Sequence, residues 1–442
     1  MRFNFIKFLY IGGWIMHSYI VEGGYKIGGQ ITASGNKNAA LPCILAALLT
    51  DEEVILENIP NINDVKVVLD ILNDIGADIA REGNTLKIKV LNIVKTEIDS
   101  SFTDLIRASI LLLGPFVSRF GKIDMALPGG DVIGKRRLDT HFYGLCKLGA
   151  KLSTKDRRIV LKANKLVGAE MFLDEASVTA TENIIMAAVL AEGNTVIMNA
   201  ACEPHVQDLC NMLNSMGANI LGIGSNVLEI KGVKKLSGTV FRIGADFMQV
   251  GSLISLAALT GGELEIKKAD PQHFRLIRHV YSRLGINFEY DRENVYVRNK
   301  QELKVKLDFG GHIPKIDDGP WPAFPTDLMS IIVVTATQVE GTVLVFEKMF
   351  ESRMFFVDKL IKMGARIVLC DPHRVVVTGK SSLKGNVLSS PDVRAGMSLL
   401  IAAFVAEGRS EIQNVYQIER GYEDVVNKLI NLGAKIKKVK SQ

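Results

Sequence analysis

Apolar positions along the chain fall into a unit that recurs six times. In Asp208-Leu-Cys-Asn-Met-Leu-Asn-Ser-Met-Gly217 they return every three or four residues, the period of an amphipathic helix, and the glycine stands where such a helix stops. Val357-Asp-Lys-Leu-Ile-Lys-Met-Gly364 repeats the pattern. The equivalent glycines, each in a Leu/Ile/Met-Gly-Ala/Ile tripeptide, are Gly76, Gly149, Gly217, Gly285, Gly364 and Gly433, at intervals of 73, 68, 68, 79 and 69 residues. A short strand is expected after each. Upstream of most lies a second shared pattern, an Ala/Leu-rich helix, an acidic-Gly turn and a β-branched strand. Met186-Ala-Ala-Val-Leu-Ala-Glu-Gly-Asn-Thr-Val-Ile197 and Ala402-Ala-Phe-Val-Ala-Glu-Gly-Arg-Ser-Glu-Ile412 are examples.

These intervals exceed the roughly 20–50 residues of a solenoid repeat, so each copy is expected to be a small α+β subdomain, and six divide naturally into two domains of three. Helices ahead of the acidic-Gly turns are apolar nearly all round, as in Val250-Gly-Ser-Leu-Ile-Ser-Leu-Ala-Ala-Leu259, which marks them as buried. The pattern predicts an α/β fold with helices inside and sheets outside, and a ligand site in the cleft between domains. Counting three repeats between hinges near Gly35 and Gly244 gives a domain of residues 36–244 inserted into one built from 16–35 and 245–442. Residues 1–15 are apolar but interrupted by Lys7 and Gly12-Gly13, and are shorter than the roughly 20 residues of a membrane span. They lack a small-residue cleavage site and read as an extension ahead of a first strand that starts at Met16.

Composition narrows the class. A chain of 442 residues, 48% apolar and 23% charged, describes two or three globular domains. Its net charge of +5 is spread along the chain, so no basic stripe for nucleic acid emerges. The densest run, Lys435-Ile-Lys-Lys-Val-Lys440, fits an edge strand with a solvated lysine face. Cys43, Cys146, Cys202, Cys210 and Cys370 contain no Cys-x-x-Cys pair and read as reduced thiols. With no other stretch able to span a bilayer, a cytoplasmic protein free of membrane is expected, its oligomeric state open and a monomer compatible with the sequence.

Candidate chemistry centres on Leu127-Pro-Gly-Gly-Asp-Val-Ile-Gly-Lys-Arg-Arg-Leu-Asp-Thr-His141. Its glycines break regular structure and its three consecutive cations suit anionic oxygens, so it reads as a phosphate-facing lid. Lys37 and Asn38 follow the capping cluster Ser34-Gly35-Asn36 at the start of a helix over 39–49, whose N-terminus favours an anion and which Pro42 should kink. Arg107 stands in the apolar run Leu105-Ile-Arg-Ala-Ser-Ile-Leu-Leu-Leu113, where a cation must meet a counter-charge. Asp327 reads as the N-cap of a helix over 328–338. Arg353, Arg394 and Arg420 are each read as standing in a strand-to-helix turn of a different repeat, so that threefold packing is expected to bring them to one cleft.

Gly35-Asn-Lys-Asn-Ala-Ala-Leu-Pro42 and the 127–141 stretch resemble the enolpyruvyl transferases. So do Ile106-Arg-Ala-Ser109, Ser177-Val-Thr-Ala-Thr-Glu-Asn183, Ala323-Phe-Pro-Thr-Asp327, Phe350-Glu-Ser-Arg353, Asp392-Val-Arg394 and Ile418-Glu-Arg-Gly-Tyr422. The resemblance runs from about residue 18 to 440. It implies two inside-out, barrel-like α/β domains, each of three repeated units, that close over phosphoenolpyruvate and UDP-N-acetylglucosamine. The enolpyruvyl group passes to the sugar 3′-hydroxyl through a tetrahedral phosphate-bearing intermediate, as in peptidoglycan synthesis, with no metal or cofactor.

The same resemblance assigns roles. Lys37 and Asn38 hold phosphoenolpyruvate; Arg136 meets its phosphate; Arg353, Arg394 and Arg420 take its carboxylate and phosphate, Asp392 orienting an arginine. Arg137, Leu138, Asp139 and Thr140 cradle uridine, although by charge alone Arg137 reads equally as a solvated cation. Arg107, Ser177, Val178 and Met349 complete the substrate contacts. Asp327 takes the hydroxyl proton, and Asp131 stands where most members carry the cysteine that donates a proton to the methylene carbon. The chain departs from the family at Glu175, where a lysine usually meets the diphosphate, and at Asp246-Phe-Met-Gln249, where Asp-Arg-Ile-Glu is usual. Both changes remove a cation and leave the acceptor open: another nucleotide, shikimate 3-phosphate, or a non-catalytic nucleotide-sugar-binding role.

Overall fold

The computed structural model describes residues 17–130, 133, 134 and 136–441. Residues 1–16, Asp131, Val132, Lys135 and Gln442 lie outside them, and with them the expected extension and the expected proton donor. The described strands form six four-stranded sheets of one topology. In the unit 170–231, Glu170–Phe172 runs parallel to Asn194–Met198, which pairs antiparallel with Val227–Lys231, itself antiparallel to Asn219–Leu221. The other sheets repeat this order.

Three sheets are completed by strands from far along the chain, one of them by Gly29–Thr32, which lies parallel to Leu264–Lys267. Thr239–Arg242 lies parallel to Val54–Glu57, and His17–Glu22 is inserted between Arg409–Gln413 and Lys435–Lys440. Lys435–Lys440 is an edge strand with Lys435, Lys437, Lys438 and Lys440 exposed, which shields the open edge from pairing with another chain.

The repeat glycines explain how helix gives way to strand. All six have positive φ, from +75° at Gly285 to +106° at Gly364, a conformation that only glycine adopts without strain. At Gly217 the helix Pro204–Ser215 ends, and the Ala218 N–H donates back to the Leu213 carbonyl at 3.0 Å.

Two apolar cores result. One draws on residues 39–243, the other on 19–33 and 245–436. Helices buried all round occupy their centres: Lys37–Ala46 and Val178–Ala188 in the first, Phe247–Thr260, Met329–Thr337 and Val393–Val405 in the second. The sheets wrap around them, because a helix with no polar face can only be enclosed.

Three local expectations need correction. The helix expected over 39–49 starts at Lys37, and Pro42 lies inside it without breaking it; the helix ends at Ala46 and tightens into a 3-10 turn, Ala47–Leu49. The amide that proline lacks costs one backbone bond, and the helix is buried on all sides by the core that holds it. The helix expected over 328–338 is Met329–Thr337, preceded by a 3-10 turn Thr326–Leu328, so Asp327 is not its N-cap. All five thiols are unpaired, Cys43, Cys202 and Cys210 buried and Cys146 and Cys370 exposed. No described helix is long and apolar enough to cross a membrane.

Two glycine variants test the unit. Around Gly217 there is room for a side chain, so Gly217→Ala should lose only the left-handed strain, about 1–2 kcal/mol. At Gly285 an added Cβ also meets the Glu302 carbonyl, and Gly285→Ala should lose more. Urea unfolding that ranked the two equally would contradict this geometry.

Candidate active site

Between the two cores lies a cavity of about 410 Å³. Its lining gathers Lys37, Asn38, Arg107, Arg136, Arg137, Ser177 and Val178 from one core, and Asp327, Met349, Arg353, Asp392, Arg394 and Arg420 from the other. The fold thus brings most of the sequence-derived candidates together, including three arginines far apart in the chain. Leu138, Asp139 and Thr140 are not in the wall. Leu138 precedes the helix Asp139–Lys147, Asp139 pairs with Arg137 at 3.3 Å, and Thr140 is buried and donates to Asp174 at 3.0 Å. Their carboxylate and hydroxyl are thus occupied within the protein. Arg137 is half-exposed but ion-paired, reaching Asp174 at 3.0 Å as well.

Two charge clusters organise the wall. In the first, Asp327 receives Arg353 Nη2 at 3.1 Å on one oxygen and Arg394 Nε at 2.9 Å on the other. Burial alone would raise the Asp327 pKa, but Arg394 and Arg353 outweigh it and hold the carboxyl well below the usual range. Its oxygens are spent on guanidinium groups, which is why it caps no helix. Asp392 does cap one: its carboxylate accepts from the N–H groups of Arg394 and Ala395 and starts the helix Val393–Val405.

The second cluster joins the cores. Lys37 Nζ lies 2.6 Å from Asp64 Oδ2, while Arg420 approaches the same carboxylate with Nε at 2.9 Å and Nη2 at 3.3 Å. All three are at most 8% exposed. Burial favours a protonated Asp64, yet the Lys37 and Arg420 charges prevail and lower its pKa. Asp64 was not legible in the sequence. It stands beside Asn63 in the first turn of the helix Asn63–Asp74, where an acidic residue reads as an ordinary helix-start signal.

Other wall residues also escaped sequence reading. Glu182 is buried there and Glu203 half-buried, and burial followed by the charge of Glu203 pushes Glu182 well above the usual carboxylate range. Burial likewise raises Glu203. The shift of Glu182 disfavours a charge on it, and the cations of the wall suit the cavity to an anion. Burial, and then Arg136, push Arg107 down to about 10; its Nη2 donates to the Arg136 carbonyl at 2.7 Å. The Asn36 side chain accepts from the N–H groups of Asn38 and Ala39, opening the Lys37 helix toward the cavity.

The 127–141 stretch reaches across the cavity. Among its described residues, Ile133 accepts a hydrogen bond from the Ser352 N–H at 3.1 Å, and Gly134 lies against Glu351. The departures from family pattern are also placed: Glu175 and Phe247 line the wall. Phe247 stacks on His205, with centroids 6.5 Å apart, and meets Trp321 edge-on at 6.0 Å. Asp246 caps the helix Phe247–Thr260, and Gln249 accepts from the Ser34 N–H at 2.9 Å. Among the described residues no three His, Cys, Asp or Glu side chains converge closely enough to hold a metal ion.

The family model EPSP synthase (3-phosphoshikimate 1-carboxyvinyltransferase) matches residues 21–429. A UDP-N-acetylglucosamine 1-carboxyvinyltransferase of Borrelia garinii subsp. bavariensis is 94% identical over 427 residues, 97% of this chain and 100% of the relative. The enzyme of the same name from Treponema denticola is 57% identical over 422 residues, 95% of this chain and 99% of that one. The crystal structure of the enolpyruvyl transferase NikO from Streptomyces tendae superposes with a TM-score of 0.86 at 22% identity, covering 97% of this chain and all of that one, and shows the same fold.

One wall residue permits a stability test. Burial pushes His205 down from 6.5 to about 4, so the folded protein keeps it neutral while the unfolded chain protonates it. Its stabilisation is complete above pH 6.5 and is lost as pH falls from 6.5 towards 4. Between pH 7 and 5 that loss is about 2 kcal/mol. The stability of His205→Phe relative to the parent should rise by this amount over the same interval in urea unfolding. An unchanged difference would show that His205 is not buried as a neutral ring.

Proposed function

The chain belongs to the EPSP synthase family of enolpyruvyl transferases, and from that premise we propose that it joins phosphoenolpyruvate to the 3′-hydroxyl of UDP-N-acetylglucosamine, releasing phosphate, the committed step toward peptidoglycan. The observation that carries the site reading is the convergence of Asp327, Arg394, Arg353, Lys37 and Arg420 on one cavity from both cores. The near-identical relative named for this reaction supports the acceptor.

The chemistry needs a proton removed from the hydroxyl, a proton added to the methylene carbon, and stabilisation of the phosphate-bearing intermediate. Lys37, Arg136, Arg394 and Arg420 supply cations for phosphate and carboxylate. Asp327 as observed is a poor base, because two arginines stabilise its ionised form. An arriving anion that draws Arg394 toward itself relaxes this hold and raises the basicity of Asp327 when a substrate is in place. Asp327→Asn should therefore lower kcat by about 10²–10⁴ while phosphoenolpyruvate still binds. A kcat within threefold of the parent would remove Asp327 from the role of base.

Lys37→Ala and Arg420→Ala should each cost about 3 kcal/mol or more in kcat/KM, since each leaves Asp64 with half its counter-charge beside the substrate anions. The first assay is phosphate release from phosphoenolpyruvate with UDP-N-acetylglucosamine, with shikimate 3-phosphate, and with neither. Release that requires the sugar nucleotide supports the reading; release with shikimate 3-phosphate alone transfers it to the other acceptor. We infer hinges near Gly35 and Gly244, where the Asn36 N–H donates to the Gly244 carbonyl at 2.8 Å, with UDP-N-acetylglucosamine closing the cleft. Tryptic cleavage at Arg136 and Arg137 should then slow when the nucleotide is bound, and equal cleavage would refute closure by this ligand.

Asp131 is the proposed proton donor in place of a cysteine. A free aspartic acid with pKa about 3.9 is protonated only about once in a thousand at neutral pH, so the role demands a pKa raised by about 3 units, at a cost of about 4 kcal/mol. Activity should peak at lower pH than in a cysteine-bearing relative; Asp131→Asn should lose most turnover, and Asp131→Cys should retain it. The epoxide fosfomycin alkylates the family's cysteine, and a carboxylate is a much weaker nucleophile. The parent should resist inactivation, and Asp131→Cys should become sensitive. A covalent adduct on Asp131 in a mass spectrum would overturn this.

A further inference from the structure

Behind Arg353, away from Asp327, lie two more carboxyl groups that the reaction does not use. Glu347 is fully buried and Asp318 is 1% exposed. Glu347 Oε1 accepts from the N–H groups of Met349 and Phe350 at 3.2 and 3.1 Å, and Thr326 Oγ1 donates to the carboxyl at 2.8 Å. Asp318 Oδ1 accepts from the Lys348 N–H. Asp318 stands close enough to Glu347 to raise its carboxyl, so the two acids favour holding one proton between them.

Two orphaned atoms point the same way. Asp318 Oδ2 is buried with no N–H or O–H donor among the described residues, a gap that a proton on Glu347 fills. Arg353 Nε is buried without a hydrogen-bond acceptor and stands 3.6 Å from Glu347 Oε2, while Arg353 Nη2 is 3.1 Å from Asp327. An ionised Glu347 would draw that guanidinium into a charge-assisted bond well under 3 Å. The longer separation is what a neutral carboxylic acid leaves.

We propose that Glu347 and Asp318, sharing one proton, are a positioning pair that keeps Arg353 directed at Asp327, and so set the alkaline limit of turnover. The inference rests on the enolpyruvyl-transfer reading only in that Asp327 is the base. Burial first, and then Asp318, raise Glu347 to about 8, against the opposing charge of Arg353. Below that pH the pair carries one negative charge. Above it a second charge appears beside Arg353 Nε, competes with Asp327 for the guanidinium, and turns Arg353 away from the base. The other charged or titratable groups facing the pair are Asp392, which acts on Arg353; Lys348, which is tied to Asp317; and His373, whose Nδ1 is bonded to the Glu347 carbonyl.

The test is the pH dependence of kcat at saturating substrates, together with infrared spectroscopy of the substrate-free protein. Glu347→Gln has the shape of the protonated acid and cannot ionise. The parent should lose about tenfold in kcat between pH 7 and 9, while Glu347→Gln stays within about threefold of the parent at pH 7 and shows no such decline. Asp318→Asn removes the partner that keeps the proton on Glu347, and its decline should move to lower pH. The parent should show a carboxylic-acid C=O band at pH 7 that bleaches with a midpoint near 8 and is missing in Glu347→Gln. An unchanged alkaline limb in Glu347→Gln, or no such band in the parent, overturns the proposal. A parent without transferase activity would sink the functional reading, and the infrared band would still decide whether the pair shares a proton.

Discussion

Asp64 holds Lys37 of its own core and Arg420 of the other within 3 Å, in a place almost closed to water. Taking three charges out of water costs several kcal/mol per ion, and only their close mutual geometry offsets it. Removing Asp64 leaves two cations facing each other uncompensated. The seam between the cores therefore has one well-defined register at this point, and the cavity takes its shape from it. The cations that a phosphate needs are already ordered by a carboxylate before any ligand arrives.

Asp327 repeats this arrangement within the second core, between Arg353 and Arg394. Each cluster is an anion held by two cations, and an incoming phosphate or carboxylate competes with that anion for them. Binding is then an exchange of partners rather than a fresh desolvation, and it changes the basicity of Asp327 as it proceeds. Acids away from the arginines behave differently. Burial pushes Glu182 toward its protonated form, which subtracts nothing from the positive field that an anion meets.

Phe247, His205, His273 and Trp321 pack together in an aromatic cluster at the cavity edge. Such packing joins elements of both cores by dispersion and burial, and unlike an ion pair it does not weaken with salt.

The sequence by itself determined the repeats, because a helix stop at glycine and a helix apolar on every side are local facts: six glycines and the run from Val250 to Leu259 specify units with helices enclosed by sheets. It also marked Lys37, Asp327, Arg353, Arg394 and Arg420, whose motifs are contiguous. What it did not contain was who pairs with whom. Asp64 and Arg420 are 356 residues apart, and Asp327 and Arg394 are 67 apart. Nothing within either neighbourhood distinguishes a carboxylate that starts a helix from one that holds an arginine. An acid at a helix start reads alike in all these places, yet Asp246 and Asp392 cap helices whereas Asp64 and Asp327 hold cations. The charge state of Glu347 was equally out of reach, since burial and the nearness of Asp318 and Arg353 decide it. Those are properties of packing in three dimensions, and the chain acquires them only when its six units close into two cores.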